Sequence, residues 1–187
     1  SWSDSLQTAT NADSGVYPVL INWDDRPALI YKEANSIKWN YYASAWKANG
    51  WTNESITSEV DSDTGLEFSA IESVDNNYLH LTWRGSGTKG ILYKQNTNAE
   101  AGWDANATEI TSDHNDRYPS IGSNKNNLVQ LYFTDNNGSN NDVKYVQKVS
   151  SGSFASAVSV TTDGGNNIYP SALQSALFAR HNAATFD

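Results

Sequence analysis

The chain contains no cysteine and no methionine. Without cysteine it has neither a disulfide framework nor a thiolate metal site, so packing and hydrogen bonds must hold it together. Proline is scarce, with four in 187 residues. Basic residues are few and scattered: twelve Lys and Arg face twenty-one Asp and Glu, giving a net charge of −9 and a pI near 4.6. Nucleic-acid binding needs a clustered basic stripe to neutralise phosphates, and none is present. Binding to anionic membrane surfaces is disfavoured for the same reason. No apolar run approaches the roughly 18 residues of a membrane span, and no signal-like apolar core occurs. The opening Ser1-Trp2 is expected of a processed mature chain or of a piece of a longer one.

What is abundant points to strands and turns. Seven Trp and ten Tyr accompany many Asn, Ser, Thr, Asp and Gly. Aromatic and β-branched residues fit a pleated, half-buried surface, and small polar residues fit tight turns. Sequons begin at Asn53, Asn106 and Asn137, in keeping with a secreted or cell-surface protein.

The order of these residues repeats. Asp13, Asp63, Asp113 and Asp163 recur every fifty residues, and Trp2, Trp51, Trp103 and Phe154 keep about the same period. Between these markers the succession is constant. A short strand (Val19 to Ile21, Ser69 to Ile71, Ser120-Ile121) leads into an alternating one (Ala28 to Tyr31, Leu79 to Trp83, Val129 to Phe133). A third follows (Ile37 to Trp39, Ile91 to Tyr93, Val143 to Tyr145), then a polar fourth ending at Ile56-Thr57, Ile110-Thr111 or Val160-Thr161. Period-2 alternation bounded by Gly, Asn and Asp is the signature of strands and hairpins, and nothing sustains a helical period.

Four strands in about fifty residues make one blade of a β-propeller. The predicted fold is therefore all-β, with residues 1–187 forming one propeller or partial propeller. With strands a to d numbered outward, the chain reads d, then abcd three times, then a. Such a chain either closes a four-bladed ring or belongs to a larger ring of six or seven blades. Open strand edges in the second case are templates for self-association.

Asp61-x-Asp63-x-Gly65-x-x-Phe68, Thr111-x-Asp113-x-Asn115-x-x-Tyr118 and Thr161-x-Asp163-x-Gly165-x-x-Ile168 resemble the Asp-box of the sialidase-like propellers, S/T-x-D-x-G-x-x-W/F. In that family the box lies between strands c and d, whereas here the strand order puts it between d and the next a. Repeat length and Gly-Trp turns also resemble propeller lectins. The resemblance implies glycan chemistry. Arg117-Tyr118-Pro119 is similar to the sialidase Arg-Ile-Pro motif, although Val16-Tyr17-Pro18 and Ile168-Tyr169-Pro170 show that its Tyr-Pro belongs to the repeat. The repeated Asp is best read as a turn cap, its carboxylate accepting backbone N–H bonds.

Among candidate sites, the carboxylate pairs Asp24-Asp25 and Asp61/Asp63 are expected to be solvated rather than catalytic. His80 should pack between blades. Asp135 to Asp142 has oxygen donors that suit Ca2+ as the one conceivable cofactor, but not the EF-hand order. Most aromatics have counterparts in the other repeats and read as core. Trp23 and Trp46 have none. They are expected in the a–b and c–d connections of one blade, which emerge on the same face. Two such rings suit the flat C–H face of a sugar, with Asp24, Asp25, Arg26, Lys47 and Asn49 to hold its hydroxyls. Mutual packing of the two rings, or an Arg26–Trp cation–π contact, are the alternatives. The expected function is extracellular glycan binding without catalysis. A structural, self-assembling surface protein and a glycosidase fragment are the other readings.

Overall fold

The computed structural model describes residues 16–23, 26–42, 51–61, 67–73, 78–97, 102–123, 128–148, 152–172 and 184–185. Among them the chain is all-β. Three four-stranded antiparallel sheets follow one another, each a meander in chain order. The first holds β1 (Val16–Trp23), β2 (Arg26–Glu33), β3 (Ser36–Tyr42) and β4 (Trp51–Thr57). The second holds β5 (Phe68–Glu72), β6 (Leu79–Arg84), β7 (Ile91–Asn96) and β8 (Thr108–Glu109), and the third β9 (Arg117–Ser123), β10 (Val129–Asn136), β11 (Asn141–Lys148) and β12 (Val158–Ser159). A fourth unit begins with β13 (Ser171–Ala172), paired to β14 (Ala184–Thr185). The strand succession expected from the repeat is thus observed three times. The N-terminal strand expected around Trp2 lies outside the described residues.

Each inner strand packs on the inner strand of the next unit: β1 on β5, β5 on β9, and β9 on β13. Two hydrogen bonds repeat this junction. The Ile121 amide donates to Ser69 Oγ at 3.3 Å, and 51 residues further along the Ala172 amide donates to Ser120 Oγ at 2.9 Å; both bonds span 52 residues of sequence. The aromatic markers repeat another. Trp103 of the second unit meets Trp39 of the first edge-on at 5.5 Å, and Phe154 of the third meets Tyr93 of the second at 4.9 Å. Trp103 and Phe154 therefore each deliver a ring to the third strand of the preceding sheet. Stacked repeats bury a core that no single unit could. It includes Ile30, Ile37, Trp39, Leu79, Leu81 and Trp83, all fully buried.

The repeated Asp caps its turn. Asp113 Oδ1 accepts the Asn115 amide at 2.9 Å, and Asp163 Oδ1 accepts the Gly165 amide at 2.9 Å and Asn167 Nδ2 at 2.8 Å. These bonds hold the Asp163 carboxyl below its usual range, the Gly165 amide contributing most. Both turns lie between a fourth strand and the next first strand, as the sequence order required. His80 is buried, with Nδ1 2.8 Å from the Tyr93 hydroxyl; burial pushes its pKa down to about 3, so it is neutral.

Candidate functional site

Trp23 closes β1, and β2 begins at Arg26. The rings of Trp39 at 5.0 Å and Tyr41 at 5.4 Å enclose Trp23, which is fully buried. The Arg26 guanidinium lies 4.8 Å from its ring centroid. This corrects the expectation of an exposed stacking platform at Trp23. Ile21 and Trp23, two residues apart, both face the core, and the cation–π alternative is the one observed. Asp24, Asp25, Trp46, Lys47 and Asn49 lie outside the described residues.

The opposite ends of the sheets, where fourth strands connect to first strands and second strands turn into third, carry the unusual chemistry. Tyr17, Tyr118 and Tyr169 hold φ of 55°, 52° and 59°. Left-handed backbone at an aromatic residue costs about 1–2 kcal/mol, and each is followed by Pro. In β1 and β9 the ladder register shifts around this Tyr-Pro step, so it works as a β-bulge that opens the inner strand. Tyr169 is 55% exposed and Tyr17 39%; Tyr118 and Tyr169 touch at 4.3 Å between centroids.

With Val19 placed by its Tyr-Pro step and Ser69, Ser120 and Ser171 aligned by the inter-sheet bonds, the residue two before each is Tyr17, Glu67, Tyr118 and Tyr169. Glu67 is the exception, and it is buried. Its Oε1 lies 3.0 Å from Arg117 Nε and its Oε2 3.6 Å from Arg84 Nε. Burial raises the Glu67 pKa, against the opposing pull of Arg117 and Arg84. Arg84 ends β6 and is itself buried, with Nη1 3.3 Å from Asp61 Oδ2. Asp61, expected to be solvated, is instead buried, and its carbonyl accepts a 2.8 Å bond from Lys32 Nζ. Asp63 lies outside the described residues.

His114 completes the group. Arg84 Nε and Nη2 donate to its carbonyl at 3.2 and 3.0 Å, and Nη2 lies 3.1 Å from its Nε2. Its Nδ1 lies 3.2 Å from the Lys89 carbonyl, which can only accept. Nδ1 therefore carries a proton, and Nε2 lies between Arg84 Nη2 and Asp61 Oδ2, the latter at 3.5 Å. Asp61 and Glu67 thus face two guanidiniums, Arg84 and Arg117, with the Lys32 ammonium on the Asp61 carbonyl. Arg117 bridges to the ring pair, its guanidinium carbon 5.6 Å from the Tyr118 centroid. The sequence signal for Glu67 was present: it interrupts the Tyr column of the repeat. Asp61, Glu67, Arg84 and His114 were not assembled from sequence because they come from three separate connections.

No family model matches the chain, and no curated protein matches it. Among solved structures the chain is similar to the catalytic domain of a GH62 α-L-arabinofuranosidase from Coprinopsis cinerea. The likeness has a TM-score of 0.49 at 14% identity and covers 86% of this chain; the chain spans 55% of that domain's length.

Proposed function

We propose that this chain is a non-catalytic, carbohydrate-binding β-propeller segment of a secreted or cell-surface protein, with its ligand face at the tyrosine-bearing ends of the inner strands. The side-by-side packing of β1, β5, β9 and β13 supports blades arranged about an axis, with further strands needed to close a ring. The observation that carries the binding function is the Tyr118–Tyr169 pair, held by strained backbone beside Arg117. Strain kept at one position in three repeats marks a geometry worth its cost. Tyrosine offers a large, rigid ring to a sugar's C–H face at little entropic expense. Arg117 and Glu67 present donors and acceptors at its edge. Because their charges balance, the fitting ligand is a neutral glycan.

A glycan array followed by titration of the selected sugar tests this. Tyr169→Ala should lower affinity by about tenfold or more while leaving the fold intact, since the ring is largely exposed. A protein that selects no glycan, or equal affinity in Tyr118→Ala and Tyr169→Ala, contradicts it. A second reading, self-association, is favoured by the apolar side chains that β1 exposes, Leu20 at 73% and Val16 at 47%. Light scattering over a concentration series separates the two: ligand-free oligomers that Leu20→Lys dissolves support assembly.

A further inference from the structure

In the third sheet the same end of the molecule is built with the opposite charge logic. Thr134 of β10 pairs with Arg117 of β9, so the next residues outward, Asp135 and Asp116, are cross-strand neighbours. The Asp135 carboxylate lies close enough to repel that of Asp116, and Asp135 is also paired across the ladder with Asp142 of β11. Like charges directly opposite each other repel. Asp116 is only 2% exposed, and its Oδ1 is buried with no hydrogen-bond partner. Thr111 is its hydroxyl neighbour; Asp113 lies close enough to add to the repulsion.

The surrounding elements do not neutralise this group. Lys144 of β11 is 2.7 Å from Asp135 Oδ2. Against Asp113, Asp116, Asp135 and Asp142 it leaves a formal charge of −3. Arg117, next in sequence to Asp116, is turned to Glu67. Asp142 faces Thr161, whose hydroxyl is 3.4 Å from its Oδ1. The turn beyond Asp135 has spent its side-chain oxygens on itself: Asn136 accepts the Gly138 amide, and Asn137 accepts the amides of Ser139 and Asn140.

We infer that Asp116 and Asp135 form a binding site for a divalent cation of the calcium type. The donors are all oxygen, which selects a hard cation, and the excess of negative charge favours a multivalent one. The buried, unpartnered oxygen of Asp116 is the group that such an ion would satisfy. Among the described residues no three acidic or histidine side chains converge as a ligand set. The ion would therefore complete its shell with the Thr111 hydroxyl, backbone carbonyls or water, as Ca2+ readily does. This assignment moves the cation from the Asp135–Asp142 turn to its base, and it is independent of what the tyrosines bind.

The test uses CaCl2 alone on protein freed of metal with a chelator. Calorimetry at pH 7.5 should show uptake of one Ca2+ per chain. At a hundredfold excess over the dissociation constant the melting temperature should rise by roughly 5–10 °C. Asp116→Asn and Asp135→Asn should each lose the uptake and the shift; Asp135→Asn, at a less buried position, keeps the test open should the other fail to fold. No uptake of Ca2+ up to about 10 mM, beyond the range of weak extracellular sites, would overturn the inference. So would undiminished uptake in both variants.

Discussion

The second and third sheets end in the same topological place and fill it differently. In the second, Glu67 and Arg84 stand opposite each other where β5 meets β6, the Arg84 amide donating to the Glu67 carbonyl at 3.0 Å. Asp61, His114 and Arg117 close the network around them. In the third, Asp116 and Asp135 stand opposite each other with a buried oxygen left over. The scaffold beneath is shared: Thr111 Oγ1 accepts the Ile91 amide in one unit and Thr161 Oγ1 the Val143 amide in the next. A repeat protein thus keeps its hydrogen-bonded frame and varies the chemistry at its strand ends. One end sets opposite charges together and the other like charges; each buries a carboxylate oxygen without a hydrogen-bond partner, but only Glu67 Oε2 has a cation beside it, Arg84 Nε at 3.6 Å.

The largest effect should come from breaking the oppositely charged network. Arg84→Ala removes one cation from the buried carboxylates of Asp61 and Glu67, and loss of one member of a buried pair costs about 3–5 kcal/mol. Urea unfolding at pH 7 measures this. A loss under about 1 kcal/mol would show that the network is solvated and the contrast between the sheets false. A smaller effect is expected at the shared frame. Asp113→Ala removes the cap on the Asn115 amide and should cost about 0.5–1.5 kcal/mol without altering glycan affinity. Lost affinity at an unchanged melting temperature would move Asp113 from frame to site. The smallest stability change, within about 0.5 kcal/mol, belongs to Tyr169→Ala, whose effect should fall on ligand binding instead. A large destabilisation there would make the tyrosine column part of the core.

Much of this frame was legible before any coordinates. The fifty-residue period, the four-strand succession and the capping role of Asp113 and Asp163 follow from alternation and turn chemistry, which are local. Trp23 has no aromatic counterpart in the other repeats, so the repeat alone leaves it outside the core. Its two-residue spacing from Ile21, an inward-facing pair in β1, was the better guide. The candidate site was harder. Glu67 stands out only when the Tyr-Pro column is aligned, and the Asp-box spacing aligns a different column. Asp116 and Asp135 are nineteen residues apart in sequence, and they meet through a register that the bulge at Tyr118 resets. Register across a bulge is a tertiary property, and period-2 patterns do not encode it.

The contrast between the two ends is tested most directly by unfolding free energy against pH in the presence of a chelator, for the wild-type chain and Asp116→Asn. Burial, with Asp135 and Asp113 nearby, pushes the Asp116 pKa up to about 6. A carboxyl raised in the folded state holds its proton more tightly there than in the unfolded chain. Its stabilising contribution is full below the unfolded value of 3.8 and is lost as pH rises through about 6. The wild-type curve minus that of Asp116→Asn should therefore climb as pH falls from 7 to 5, with the variant at least as stable as wild type at pH 7. A difference that stays flat across that window, or a variant clearly less stable at pH 7, would mean that the carboxylates are already satisfied and that the third sheet's end needs no cation.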